Sequence, residues 1–139
     1  MLISVKEIER IFISNEEFLA PMDVFSHEQY IANRLKVELS LSVKSKPVTE
    51  SEIKSAEKKL GIKLEELQRK AVADATQNGV FILTGGPGTG KTTTVKSIIE
   101  IFKNRNLKVA LAAPTGRAAK RMTELTGNEA KTIHRLLEV

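Results

Sequence analysis

The spacing of apolar positions changes period several times along this chain, and each change marks an element. Residues 4–13, Ser-Val-Lys-Glu-Ile-Glu-Arg-Ile-Phe-Ile, fit a helix or a strand equally well, so their type stays open. Leu19-Ala20-Pro21-Met22 reads as a break, because proline biases its predecessor away from helix. Ser26, with Gln29 three residues on, has the form of a capping box and predicts a helix through about Leu39, with Ile31, Leu35 and Leu39 as its buried stripe. Residues 42–48 read as a polar linker. Thr49 and Glu52 repeat the capping-box pattern, Ile53, Ala56 and Leu60 form the next stripe, and Gly61 falls where a helix end favours a left-handed residue. A further helix is expected over 65–76, ended by Asn78-Gly79.

Beyond that point the pattern alternates. Val80-Phe81-Ile82-Leu83-Thr84 has the length and β-branching of a buried strand. A helix over 91–103, a strand over 108–113, a helix over 117–125 and a last helix from Ile133 follow. Strand and helix in turn imply an α/β fold with a parallel sheet flanked by helices, preceded by a small, mainly helical segment.

A length of 139 residues is one domain's worth, and 41% apolar with 28% charged residues excludes disordered and collagen-like chains. No run approaches the roughly eighteen apolar residues of a membrane span, and Met1-Leu2-Ile3-Ser4-Val5-Lys6-Glu7 lacks a basic stretch with an apolar core, so a cytoplasmic protein without a membrane partner is expected. The absence of cysteine rules out a disulfide scaffold and a thiolate metal site, and His27 and His134 stand apart.

The net charge of +5 is unevenly placed. Residues 1–102 hold 14 basic and 14 acidic side chains, whereas 103–135 hold 8 basic (Lys103, Arg105, Lys108, Arg117, Lys120, Arg121, Lys131, Arg135) against Glu124 and Glu129 alone. A solvated basic face and a polyanion partner both fit that excess.

The chemistry is concentrated in Gly85-Gly86-Pro87-Gly88-Thr89-Gly90-Lys91-Thr92, which matches the P-loop pattern G-x-x-x-x-G-K-[ST] throughout. A predicted strand feeds it and an amphipathic helix carrying Val95, Ile98, Ile99 and Phe102 leaves it. Glycines let the backbone curl around phosphate oxygens while the helix start adds partial positive charge. Lys91 is the mobile cation for the β- and γ-phosphates, and the Thr92 hydroxyl is placed to ligate Mg²⁺. ATP with Mg²⁺ is therefore the expected cofactor, with Lys91 and Thr92 as the catalytic pair.

Ala110-Leu111-Ala112-Ala113 ends in Pro114-Thr115-Gly116-Arg117. Strand ends in a parallel sheet deliver their loops to the ligand edge, so Thr115 and the start of the next helix can hold an anion, with Arg117, Lys120 and Arg121 adding charge around it. An ordinary cap with a solvated basic face is the alternative. Thr132-Ile133-His134-Arg135 repeats the arrangement, and His134 reads equally as a contact or as a packed or capping residue.

The P-loop run extended through Thr93 and Thr94, then Ala113-Pro114-Thr115-Gly116-Arg117-Ala118-Ala119-Lys120-Arg121-Met122, then Lys131-Thr132-Ile133-His134-Arg135-Leu136-Leu137, resemble in order and spacing the superfamily 1 DNA helicases of the RecD-like type, the family of the exodeoxyribonuclease V alpha subunit. The resemblance covers residues 62–139 and implies the first part of a RecA-like ATPase domain, with residues 1–61 as a helical flank. It implies that Gln68, which apart from the resemblance reads as a solvated helix residue, recognises adenine, that residues 85–93 cradle the nucleotide, and that Pro114, Thr115, Gly116 and Arg117, then Thr132 and His134, contact single-stranded DNA. It further implies ATP-driven 5′ to 3′ translocation in recombination and repair, with exonuclease-complex subunits as partners or none in a stand-alone member. Residues 18–40 are similar to the segment before the core in longer, stand-alone members.

An ATPase also needs an acidic pair at a strand end for Mg²⁺ and an arginine for the leaving charge. After Lys91 no apolar run is followed by Asp-Glu, so the chain is expected to be part of a longer protein and nearly inactive in hydrolysis alone. A P-loop ATPase or kinase that does not act on nucleic acid, and a non-catalytic nucleotide-binding module, are the other function classes compatible with the sequence.

Overall fold

A computed structural model describes residues 8–13, 16–41 and 46–138. They fall into two compact units that divide between Ser42 and Val43.

In the first unit, β1 (Ile8–Ile13) pairs antiparallel with β2 (Glu16–Pro21), in a register running from Ile8 opposite Pro21 to Ile13 opposite Glu16. The stretch whose type the sequence leaves open is thus a strand from Ile8, and residues 4–7 lie outside those described. Pro21 closes β2, where the missing N–H costs no ladder bond at a strand end. The helix α1 (Met22–Leu41) begins directly after it, four residues ahead of the start expected from Ser26. Ser26 does not cap: it sits one turn inside, where its hydroxyl donates to the Asp23 carbonyl at 2.8 Å. Nor is the expected stripe buried, since Ile31, Leu35 and Leu39 are 56%, 41% and 54% exposed. Periodicity identifies the face a helix could bury, not whether a surface exists to cover it.

The second unit holds the glycine-rich loop. Of the expected linker, residues 42–45 lie outside the described set and 46–49 are irregular. The helix α2 (Glu50–Leu60) starts with the predicted capping box: the Thr49 N–H donates to the Glu52 carboxylate at 2.8 Å and the Glu52 N–H donates to the Thr49 hydroxyl at 3.2 Å. Gly61 ends it at φ +64°, the left-handed region. Then come α3 (Glu66–Gln77), α4 (Lys91–Asn104), β3 (Leu111–Ala113), α5 (Gly116–Thr126), β4 (Ala130–Thr132) and α6 (Ile133–Leu137). Ile53 and Ala56 of α2 close over Val72 of α3 and Ile101 of α4, with Leu64 completing the core. Leu60, at the end of the expected stripe, is half-buried.

Ion pairs hold α2 against the loop-bearing helices. Arg69 of α3 donates to Glu57 at 2.7 Å and to Glu50 at 2.8 Å, and Lys59 donates to the largely buried Glu100 of α4 at 2.6 Å. Arg105 donates to both oxygens of Glu52, at 2.7 and 3.0 Å, and to the carbonyls of Lys46 and Pro47. Hydrogen bonding to Arg105, reinforced by the Thr49 N–H, pulls the Glu52 carboxyl from 4.5 to about 2. The Leu64 N–H, donating at 2.8 Å, and then Arg69 lower that of Glu57. Hence α2 groups with the P-loop unit, on the far side of the 61/62 boundary expected from the sequence.

The sheet is smaller than the sequence predicts. β3 and β4 pair in parallel, Leu111 opposite Ala130 and Ala113 opposite Thr132. Residues 80–84, expected as a strand, join no ladder among the described residues, and Ile82 is 77% exposed. Apolar, β-branched composition favours an extended chain, but a strand exists only where a neighbour accepts its hydrogen bonds. For the same reason the expected strand 108–113 shortens to the three residues that face β4.

Candidate functional site

The loop between Gly85 and Lys91 owes its shape to glycine at specific places. Gly88 and Gly90 lie at φ +75° and +77°, a region that side chains disfavour. Gly85 is constrained by space: a Cβ there would stand 2.8 Å from the Thr89 hydroxyl, which donates to the Gly86 carbonyl at 2.9 Å. Lys91 folds back over this turn. Its ammonium donates to the Gly85 carbonyl at 2.5 Å, to the Gly86 carbonyl, and to the Thr89 hydroxyl at 3.3 Å. Among the described residues only neutral oxygens hold this cation, so an incoming polyphosphate need not displace a carboxylate.

Gly90 is the N-cap of α4, and its carbonyl accepts the helix's first bond, from the Thr94 N–H at 3.0 Å. The N–H groups of Lys91, Thr92 and Thr93 precede that first bond and have no helical partner, leaving the positive end of α4 at the loop. The same carbonyl accepts from the Thr94 hydroxyl at 3.2 Å and from Nε2 of Gln68 at 3.5 Å. Gln68 lies in the first turn of α3, where its Oε1 accepts from the Glu65 N–H at 2.9 Å. Pro87 and Thr92 are exposed, and Thr93 is half-buried.

Mg²⁺ beside phosphates keeps several waters and needs few protein ligands. The exposed Thr92 hydroxyl suits one such position, whereas no cluster of three or more acidic, His or Cys side chains suited to a metal occurs among the described residues.

The second set of predicted residues lies along α5 and α6. Thr115 caps α5, its hydroxyl accepting from the Ala118 N–H at 3.2 Å, and Thr132 caps α6, accepting from the Arg135 N–H at 3.2 Å. Buried Ala119 turns one face of α5 inward and leaves Arg117, Lys120 and Arg121 exposed, as are Pro114, Gly116 and His134. None of Arg117, Lys120, Arg121, Lys131 and Arg135 forms an ion pair among the described residues. β4 escapes a sequence reading because three residues are too few to show a period, yet β4 brings the two hydroxyl caps together. With Ala113 opposite Thr132 in parallel strands, both leave the same end of the sheet.

The two sets meet. A pocket of about 270 Å³ between α4 and α5 is lined by Lys91, Thr92 and Arg121 together with the apolar Val95, Met122 and Leu125.

A family model described as an AAA domain matches residues 68–139. The chain is 46% identical over 74 residues to the ATP-dependent RecD2 DNA helicase of Deinococcus radiodurans, an alignment covering 53% of this chain and 10% of that protein. It is 41% identical over 95 residues to the RecBCD enzyme subunit RecD of Mycolicibacterium smegmatis, covering 52% of this chain and 17% of that one. The RecBCD enzyme subunit RecD of Haemophilus influenzae is 36% identical over 116 residues, 80% of this chain and 18% of its own length. The chain thus spans less than a fifth of each of these relatives. It belongs to the AAA domain family, and its similarity there is to RecD-type helicases.

Proposed function

We propose that this chain is the nucleotide- and strand-gripping first part of an ATP-dependent DNA helicase, which couples ATP binding and hydrolysis to 5′ to 3′ movement on single-stranded DNA in recombination and repair. Residues 62–139, with α2 packed on them, begin its RecA-like motor domain, in the cytoplasm. ATP supplies the polyphosphate and the hydrolytic free energy, and Mg²⁺ screens the phosphate charge. Lys91 exchanges its carbonyl partners for phosphate oxygens, the free N–H groups at the start of α4 donate to them, and Thr92 offers its hydroxyl to the metal. Gln68 reads adenine. Pro114, Thr115, Gly116 and Arg117, with Lys120, Arg121, Thr132 and His134, hold the phosphates of the strand. Assembly with nuclease-complex subunits follows if the parent resembles the RecBCD relatives, and none is needed if it resembles the RecD2 helicase.

The observation that carries this reading is the shared pocket, in which the P-loop residues Lys91 and Thr92 border Arg121 of the strand-binding helix. Phosphate binding on one side then bears on strand contacts on the other. The test is titration of the chain with Mg-ATP and with single-stranded oligothymidylate, alone and together. Mg-ATP binding is expected to vanish in Lys91→Ala with an unchanged far-UV circular dichroism spectrum, while strand binding persists. Lys91-dependent ATP binding with no affinity for the strand would favour an ATPase or kinase that does not act on nucleic acid. Turnover by the chain itself is expected to be negligible, because no acidic pair follows Lys91.

A further inference from the structure

Gln68 has both ends of its amide engaged before any base arrives. Its Oε1 accepts from the Glu65 N–H at 2.9 Å, satisfying one of the donors that open α3, and its Nε2 donates to the Gly90 carbonyl at 3.5 Å. That carbonyl is also the acceptor from which α4 starts, through the Thr94 N–H at 3.0 Å and the Thr94 hydroxyl at 3.2 Å. One side chain therefore ties the N-terminus of α3 to the hinge between phosphate loop and α4. The fit is close, since a Cβ on Gly90 would come within 2.2 Å of the Gln68 nitrogen.

We propose that Gln68 is a positioning residue for the phosphate loop, setting the loop's affinity for a polyphosphate whether or not a base is attached. This deepens the proposed function and rests on the loop being the nucleotide site. The Gly90 carbonyl fixes the direction of α4's first turn, and the unpaired N–H groups of Lys91 and Thr92 follow it. Releasing Gln68 loosens the donors that a phosphate meets. A residue serving adenine alone would leave a base-free ligand unaffected.

The probe is Mg-tripolyphosphate, titrated calorimetrically into the 139-residue chain, its Gln68→Met and Gln68→Glu variants, and Lys91→Ala as the reference. Methionine keeps the length of glutamine without its hydrogen bonds. Glutamate keeps the acceptor for the Glu65 N–H and lacks the donor to Gly90. Gln68→Met is expected to weaken tripolyphosphate about five-fold, the scale of one modest hydrogen bond. In the ligand-free variants, hydrogen exchange at the Thr94 amide is expected to quicken several-fold in both Met and Glu, while amides at the start of α3 quicken in Met only. A merely structural loss would move both regions together. If Gln68→Met binds tripolyphosphate like the parent chain while Lys91→Ala does not bind it, the positioning role is overturned and the nucleotide site stands. If Lys91→Ala binds as well as the parent, or the parent does not bind at all, the reading of the loop itself is overturned.

Discussion

Ala113 and Thr132 face one another as partners in the parallel pair of β3 and β4, nineteen positions apart in sequence. Thr132 is itself the cap of α6 and Ala113 stands two residues before Thr115, the cap of α5, so the Thr115 and Thr132 hydroxyls and the basic side chains behind them lie at one end of a two-stranded sheet. Contacts of this kind grip phosphates rather than bases and are felt through released counterions. If about four phosphates are held, the logarithm of affinity for a single strand should fall against the logarithm of salt with a slope near −3, at about 0.7 per phosphate. Arg117→Ala and Arg121→Ala should each weaken binding to every sequence alike and make the slope shallower by about 0.7. A slope unchanged in both variants would place the strand elsewhere.

Gly88 and Gly90 share a left-handed backbone but differ in what surrounds them. A Cβ on Gly88 meets nothing within 4 Å, whereas one on Gly90 collides with the Gln68 amide at 2.2 Å. Gly88→Ala should thus cost about 1 kcal/mol of stability from its φ alone. Gly90→Ala carries that cost and must in addition shift the end of the Gln68 side chain off the Gly90 carbonyl, so its loss should exceed that of Gly88→Ala by about 0.5–1 kcal/mol, the scale of one modest hydrogen bond. Urea denaturation of the two variants measures the difference, and equal losses would mean that Gln68 yields without effort.

The Glu52 carboxyl makes stability depend on acid. Its value falls from 4.5 to about 2 in the folded chain, chiefly through the hydrogen bonds from Arg105. Above pH 4.5 the group is ionised in both states and the stabilisation is complete. As the pH drops below 4.5 the unfolded chain takes up the proton first, and the contribution drains away until it is gone below about pH 2. Allowing for solvent around these partly exposed side chains, about 2 kcal/mol is at stake. Thermal melts from pH 6 to pH 2 should show a steeper decline for the parent chain than for Glu52→Gln, which is already without the charge. Parallel curves would remove Glu52 from the acid response.

What the sequence made legible was local. Thr49 with Glu52 and Ser26 with Gln29 present the same spacing, yet only the first caps a helix. The helix α1 starts at Met22, directly after Pro21 and four residues ahead of Ser26, and so leaves that serine bonded to a helical carbonyl. The phosphate loop was readable because its groups are consecutive. Residues 80–84 displayed an apolar run but not its neighbour, and Thr132 displayed a cap but not its alignment with Ala113. Pairing and register depend on partners distant in sequence, which periodicity does not encode. The stripe of Ile53 and Ala56 was legible, but what α2 packs against was hidden for a similar reason. Its partners Arg69 and Arg105 come from two later elements, and nothing local in the sequence pairs either arginine with a glutamate of α2.

That burial sets where the P-loop unit can be cut. A chain starting at Val43 retains α2 with Ile53 and Ala56 over Val72 and Ile101, and retains the Glu57–Arg69, Glu52–Arg105 and Lys59–Glu100 pairs. A chain starting at Ile62 loses them all. Removing Ile53 alone withdraws about 2 kcal/mol of apolar burial, and leaving the largely buried Glu100 without Lys59 adds an unpaired charge. A domain of this size has roughly 5–15 kcal/mol in total, so these losses together consume a large part of it. Residues 43–139 should therefore melt cooperatively within a few degrees of the full chain, and residues 62–139 should show no cooperative transition. Calorimetry of the two truncations decides the boundary: a sharp transition in the shorter one would make α2 an accessory to the fold, and a broad one in the longer would show that the hairpin and α1 contribute to it.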